Sequence, residues 1–428
     1  MKELFKKIVI AILTFEAKLL IRRTKPKIVA ITGSVGKTSV KDAVYQVLKD
    51  HTHTRKSEKS FNSEIGVPLS VLGLRNAWHS PVRWFKNILD GALLILHPGA
   101  YPKVLVLEVG VDRPGDMDVL TSWIKPDVVV LTRLPEVPVH VEFFDSPEAV
   151  RQEKRKLVEA LVPDGVFVYN HDDERVCAVA EGTPQQRIGY GVGEGADCRA
   201  EKEAITYEGG RPTGYTFTLT QGGASANCVV QESLGGQHAY NYAAAVAVGS
   251  VFGVAITDAA QALSENCTPP GRMRLLRGNK DTTIIDDTYN ASPVAVERSL
   301  QSLKEVKGVK RRIAVLGDMM ELGQYSIAEH ERIGGVAASC VDVLVTIGVR
   351  ARGIASGARA KGLSEKNVVQ FDDANSAGRA LLQMLEAGDI VLVKGSQSIR
   401  AERTVEILMA EPERATELLV RQGTAWKG

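Results

Sequence analysis

The segment TGSVGKTS at 32–39 constrains this chain more than any other. It follows a β-rich run, KIVAIT at 27–32, and precedes Val40, Ala43, Val44, Val47 and Leu48, which recur at helical spacing. Strand, glycine loop and helix form the context in which backbone N–H groups and a helix N-terminus converge on phosphate oxygens. Gly33 and Gly36 permit positive φ and close approach. The successive N–H groups of Gly33, Ser34, Val35, Gly36, Lys37, Thr38 and Ser39 are the candidate phosphate cradle. Lys37 supplies positive charge for β- and γ-phosphates, and Thr38 a hydroxyl for Mg²⁺. The spacing, GxxGKT, is two residues shorter than the commoner GxxxxGKS/T. A GxGxxG is absent and a Lys-Thr pair is present, which disfavours a dinucleotide.

Buried-strand patterns continue downstream as KVLVLEV at 103–109, DVVVLT at 127–132 and GVFVY at 165–169, with a helical stretch from Pro147 to Leu161. This alternation predicts a mostly parallel sheet with helices on both faces. From about 185 to 232 the pattern changes to Gly, Thr and alternating apolar residues, which predicts antiparallel strands. A helix is expected from about Ala239 to Phe252. Pro269–Pro270–Gly271 marks a boundary. Beyond it TTIIDD, RIAVLG, DVLVTIG, NVVQF and DIVLVKG alternate with helical stretches as a second doubly wound α/β series. The expected division is 1–25 an N-terminal helix, 26–270 a central domain, 271–410 a C-terminal domain and 411–428 a polar tail.

With 428 residues and 44% hydrophobic content, each domain can build a core. A net charge of +2 gives no electrostatic case for nucleic acid. The five cysteines, Cys177, Cys198, Cys228, Cys267 and Cys340, form no CxxC pair and read as reduced thiols of a cytoplasmic enzyme. Residues 4–21 are apolar but interrupted by Lys6, Lys7, Glu16 and Lys18, too short a clean run to span a bilayer. Two readings stand: an amphipathic helix packed on the protein, or a basic interfacial helix making peripheral membrane contact, aided by Arg22, Arg23 and Lys25.

Glu108 ends the strand KVLVLEV. Carboxyl ends of parallel strands face the ligand crevice, so it is a candidate Mg²⁺ ligand; the alternative is a carboxylate capping a loop. His140, in VPVHVEFF, and Lys154, in EKRKL, read by themselves as a structural histidine and a solvated lysine.

Together the segments TGSVGKTS, SFNSEIGVPLSVL (60–72), LEVGVDRPGDM (107–117), HVEFFDS (140–146), PPGRMR (269–274), IIDDTYNASP (284–293), VLGDMMELG (315–323) and VKGSQSIRAER (393–403) resemble the Mur ligase family. Within it they are most similar to the MurF type, which adds D-alanyl-D-alanine to a UDP-muramoyl peptide in peptidoglycan precursor synthesis. The resemblance runs from about residue 26 to about 410. It implies an α/β chain with a P-loop central ATPase domain, a mostly parallel sheet plus a small antiparallel region, and a Rossmann-like C-terminal domain. It also implies an ATP-dependent carboxylate–amine ligase: a carboxylate attacks the γ-phosphate, and an amine then displaces phosphate from the acyl phosphate. Cations must screen the meeting of two anions. By the same resemblance Glu108 matches one Mg²⁺ ligand and His140 the histidine at a second Mg²⁺. Lys154 matches a lysine that several members carbamylate, which makes it an oxygen donor. Asn62 matches an asparagine near the γ-phosphate, and Asn241 one near adenine. Arg272 matches a linker arginine, and Asp287 a ribose-binding carboxylate followed by Tyr289 and Asn290. Asp318, Glu321, Lys394, Ser396 and Arg400 lie in loops of the kind that hold the incoming amino acid or dipeptide.

Two features depart from that pattern. MurF-type enzymes carry a UDP-sugar-binding domain before the phosphate loop, whereas only residues 1–25 precede Pro26 here, too few for a packed domain. GGQHAYN at 235–241 places His238 where the family has an asparagine. The expected substrates are a small-molecule acid and an amine or dipeptide; the oligomeric state stays open. Alternatives are a Mur-like ligase acting on another carboxylate, such as a cofactor precursor or polymer, and a nucleotide-binding scaffold without catalysis.

Overall fold

A computed structural model describes residues 2–58, 62–77, 80–265, 268–423 and 426. Ser60 and Phe61 of the SFNSEIG segment, Cys267 and part of the C-terminal stretch lie outside the described residues. The first sheet has nine strands: β1 (Lys27–Thr32), β2 (Thr54–Lys56), β3 (Val104–Glu108), β4 (Val128–Leu131), β5 (Val166–Asn170), β6 (Gln186–Gly191), β7 (Cys198–Glu208), β8 (Arg211–Gln221) and β9 (Ala224–Gln231). Their order is β2-β3-β1-β4-β5-β6-β7-β8-β9. The first part is parallel, and its strands are apolar on both faces because helices cover both sides. All four residues of β4, VVVL, are buried.

The second sheet comprises β10 (Arg274–Gly278), β11 (Thr282–Asp286), β12 (Arg312–Gly317), β13 (Val343–Ile347), β14 (Val368–Phe371) and β15 (Ile390–Lys394), in the order β10-β11-β15-β12-β13-β14. Only β10 is antiparallel. It is an edge strand that sequence periodicity did not single out.

Two expectations need correction. β6 pairs parallel with β5, so the antiparallel part begins only at the β7–β8 pair and continues the same sheet. Residues 411–428 are not simply a polar tail. Ala415, Leu418 and Leu419 are buried in the core of the second sheet, with a short helix at Ala415–Leu418. The three apolar anchors are joined by Arg421, whose buried guanidinium donates to Glu402 at 2.8 Å and to the Tyr289 carbonyl at 3.0 Å, and together they dock the segment.

Helix α1 (Lys2–Thr24) lies on the first sheet's core through Val9, Leu13, Ala17 and Leu20. α2 (Lys37–Leu48) follows the glycine loop, and α3 (Gly66–Leu72) is wholly buried. α4 (Pro81–Leu96) starts with Pro at its first turn and Ser80 as its cap, the Ser80 hydroxyl accepting from Arg83 N–H at 3.3 Å. The topology places the site. β1 sits between β3 and β4, so chain direction across the sheet reverses at β1. The crevice beyond its carboxyl end is where open α/β sheets bind ligands.

Candidate active site

The glycine loop leaves β1 at that crevice. Gly33 has φ +134°, and a Cβ there would lie 2.0 Å from the Thr132 hydroxyl; Gly36, at φ +89°, caps α2. Only glycine fits the first position, and the second is the left-handed turn that starts the helix. The loop is tied to the end of β4, with Ser34 N–H donating to the Arg133 carbonyl and Thr132 Oγ1 to the Val35 carbonyl at 2.7 Å. Lys37 opens α2 and curls back so that its Nζ donates to the Gly33 carbonyl at 2.9 Å. Thr38 and Ser39 occupy the same first turn. Burial lowers the Lys37 pKa, opposed by Glu108 and Asp112, while Arg272 lowers it further.

Glu108 ends β3 beside the loop, paired with Ile31, and is 1% exposed. Its Oε1 accepts from Asn62 Nδ2 at 3.3 Å. Its Oε2 is buried without a hydrogen bond, although the Lys41 ammonium lies 3.8 Å away. A buried carboxylate oxygen left unbonded is costly, and it fits a hard divalent cation. Among the described residues no three His, Cys, Asp or Glu side chains converge on a metal position. Mg²⁺ characteristically takes one or two carboxylates and completes its shell with substrate phosphates and water.

Lys154 is 2% exposed on the helix Pro147–Glu159, so it is not a solvated lysine. Burial, then the charge of Lys37, bring its pKa down to about 7, against the pull of Asp112 and Glu153. Near neutral pH much of this amine is unprotonated, the form able to take up CO₂. His140 sits in the left-handed region at φ +70°, uncommon for this residue. Its ring lies 3.7 Å from Asp112 Oδ1 on one side and 2.8 Å from Glu321 Oε2, in the second domain, on the other. That hydrogen bond holds the Glu321 carboxyl below its usual range.

Between the loop and the second sheet lies a cleft of about 100 Å³, lined by Gly36 and Ser39 on one side and Arg272, Asp287 and Lys394 on the other. Asn241 also lines it, from the helix Gln237–Val251. His238 is buried nearby, bonded to the Ser233 hydroxyl at 2.7 Å, and burial lowers its pKa to about 4. The Arg272 guanidinium stacks 3.9 Å over the Tyr289 ring. Asp287 accepts from Ser299 Oγ at 2.7 Å and from Lys394 Nζ at 2.6 Å, and Lys394 also bonds the Asn290 carbonyl.

Of the five residues expected to hold the incoming amine, Asp318 and Ser396 sit together, the Ser396 N–H donating to the Asp318 carbonyl at 3.1 Å, and each of the five has partners within the protein. Lys394 is committed to Asp287, and Glu321 to His140. Asp318 accepts from Ala351 N–H at 2.7 Å, where it begins the helix Arg352–Ala360. The Ser396 hydroxyl accepts from Met320 N–H. Arg400 is held by Glu402 and the Trp426 carbonyl. Sequence reasoning missed Lys41 and Asp112. Lys41 lies one turn beyond Lys37 on the same helix face, a spacing that could have flagged it. Asp112 is the next acid after Glu108 in LEVGVDRPGDM.

Two family models match: the Mur ligase middle domain over residues 31–249 and the Mur ligase glutamate ligase domain over 271–397. The chain belongs to the Mur ligase family. Like other Mur ligases it is an ATP-dependent ligase, with an α/β fold of two sheets. It is 28% identical over 397 residues to the UDP-N-acetylmuramoyl-tripeptide–D-alanyl-D-alanine ligase of Bacillus subtilis (strain 168), covering 92% of this chain and 79% of that protein. It is 30% identical over 412 residues to the ligase of the same name from Mycobacterium leprae (strain TN), covering 90% and 74%. Among solved structures, MurF ligase from Thermotoga maritima in complex with ADP superposes with a TM-score of 0.76 at 26% identity, covering 95% of this chain and 84% of that one.

Proposed function

We propose that this Mur ligase joins D-alanyl-D-alanine to the terminal carboxylate of a UDP-muramoyl tripeptide, through an acyl phosphate made at the expense of ATP. The observation that carries the reading is the grouping around Lys37, at the glycine loop, of buried Glu108 with an unbonded oxygen and buried Lys154, each close enough to feel the Lys37 charge. Such a site can bring a carboxylate to a triphosphate against charge repulsion. The names of the Bacillus and Mycobacterium relatives support the choice of acid and amine.

In this reading Lys37 and the loop N–H groups hold β- and γ-phosphates, and Arg272 reaches the nucleotide from the second domain. Asn241 and Asp287 contact its base and ribose, with Tyr289 and Asn290 beside them. Glu108, Thr38, His140 and a carbamylated Lys154 are the residues that would hold Mg²⁺. When bound, the metal supplies charge neutralisation on the phosphoryl oxygens. Asn62 steadies the Glu108 carboxylate. Asp318, Ser396 and Arg400 shape the region where the amine enters. Intact-mass measurement under CO₂ tests the carbamate; an unmodified chain removes Lys154 from the metal set.

The deciding experiment measures phosphate release from ATP with UDP-muramoyl tripeptide plus D-alanyl-D-alanine. Turnover that requires both is expected. Turnover with another acid and not with this one would keep the ligase and reject the substrate. No helix among the described residues is long and apolar enough to cross a membrane. The outward apolar side of α1 supports peripheral contact with a bilayer.

A further inference from the structure

Helix α1 is not amphipathic in the ordinary sense, because both of its sides are apolar. Val9, Leu13, Ala17 and Leu20 are buried inward, while Leu4, Phe5, Ile8, Phe15 and Leu19 are 39–66% exposed. α4 repeats the arrangement. Trp84 and Ile95 are buried, while Val82, Phe85, Leu89, Leu93 and Leu96 are 48–78% exposed at a spacing of three to four residues. These two helices carry ten of the seventeen large apolar side chains exposed among the described residues.

The helices lie against each other. The Glu16 carboxylate of α1 sits so close to Gly91 of α4 that a Cβ there would meet Oε2 at 2.3 Å. Both bury their inner sides in the same core. Side by side over one core, they turn their outer apolar sides to solvent as one plate, and a contiguous exposed apolar surface marks an interaction site.

The charge around this plate identifies its partner. Lys7, Arg22 and Arg23 on α1 and Arg83 and Lys86 on α4 are exposed. Among the described side chains of the two helices no acid is exposed: Glu16 is buried and Asp90 is half-buried. Among the described residues Glu64, exposed beside Lys6, is the one acid an ion pair places against this edge. An apolar surface rich in Phe and Leu, whose own exposed charges are cations, complements the headgroup region of an anionic bilayer.

We propose that α1 and α4 together form a docking plate for the surface of a membrane containing anionic phospholipid, holding the ligase at the bilayer without spanning it. The proposal rests on the reading of α1 as a membrane contact and enlarges it to a two-helix surface. It is independent of which acid and amine are joined.

The test is co-sedimentation of the full chain with phosphatidylcholine vesicles, with and without a quarter phosphatidylglycerol. The wild type should pellet with the mixed vesicles, more weakly with phosphatidylcholine alone, and progressively less as salt screens the cationic rim. Ile8→Glu/Phe15→Glu on α1 and Phe85→Glu/Leu93→Glu on α4 change exposed residues only. Each pair should lower the partition coefficient about tenfold or more while thermal melting stays near that of the wild type. If the α4 pair pellets like the wild type while the α1 pair does not, the plate is overturned and the single-helix contact survives. A wild type that stays in the supernatant with both vesicles overturns both. A concentration-dependent dimer that the variants dissolve, without vesicle binding, assigns the surface to a second copy and also overturns the proposal.

Discussion

At the carboxyl end of β3, Glu108 is buried with one oxygen unbonded; at the carboxyl end of β11, Asp287 is also buried but is held by both Ser299 and Lys394. The same contrast extends around each residue. Near the phosphate loop Lys37 and Lys154 are desolvated and their pKa values fall. In the second domain Glu402 accepts from both Arg400 and Arg421, and Asp389 is gripped by Arg311. One region leaves its charge only partly paired, while the other closes its charges on one another. An incompletely paired buried charge costs stability. A fold that keeps several at one crevice is shaped for a ligand that completes them, whereas a closed network positions loops.

This comparison can be broken most sharply at Lys37. Lys37→Ala should cut ATP-dependent phosphate release by about 10³-fold or more while melting stays near or above that of the wild type. Retained turnover would mean that the loop charge is structural after all. The counterpart is Lys394→Met, which strands Asp287 in the interior. A loss of about 3 kcal/mol in urea unfolding is expected, and a loss under about 1 kcal/mol would show that the paired network is not what holds the loops.

The smallest effect tests whether uncompensated burial alone marks a functional site. Glu16 also has an unbonded buried oxygen, but it lies in the seam between α1 and α4, far in sequence from every candidate catalytic residue. Burial raises its pKa from 4.5 to about 7. The folded chain therefore keeps a proton that the unfolded chain releases, so stability falls as pH rises from 4.5 through 7. Glu16→Gln should match the wild type near pH 4.5 and be more stable by about 1 kcal/mol at pH 8, with turnover unchanged. Equal melting curves at both pH values would remove Glu16 from the comparison. A fall in turnover would extend the functional region into the seam.

The phosphate loop was legible in the sequence because its demands are local. Positive φ at two glycines, a lysine at the helix start and a buried strand before it all lie within about a dozen residues. The two parallel series were legible for the same reason, since apolar runs and helical spacing report the faces of single elements. Tertiary packing alone decided that Lys41 and Lys154 would be buried rather than solvated, that Asp112 would stand between His140 and the lysines, and that Glu321 would reach His140 from another domain. It also decided that α1 would keep a second apolar side facing outward beside α4. Backbone conformation is set by near neighbours in the chain. Desolvation and charge pairing depend on which distant elements are stacked together, and a linear pattern does not carry that distance.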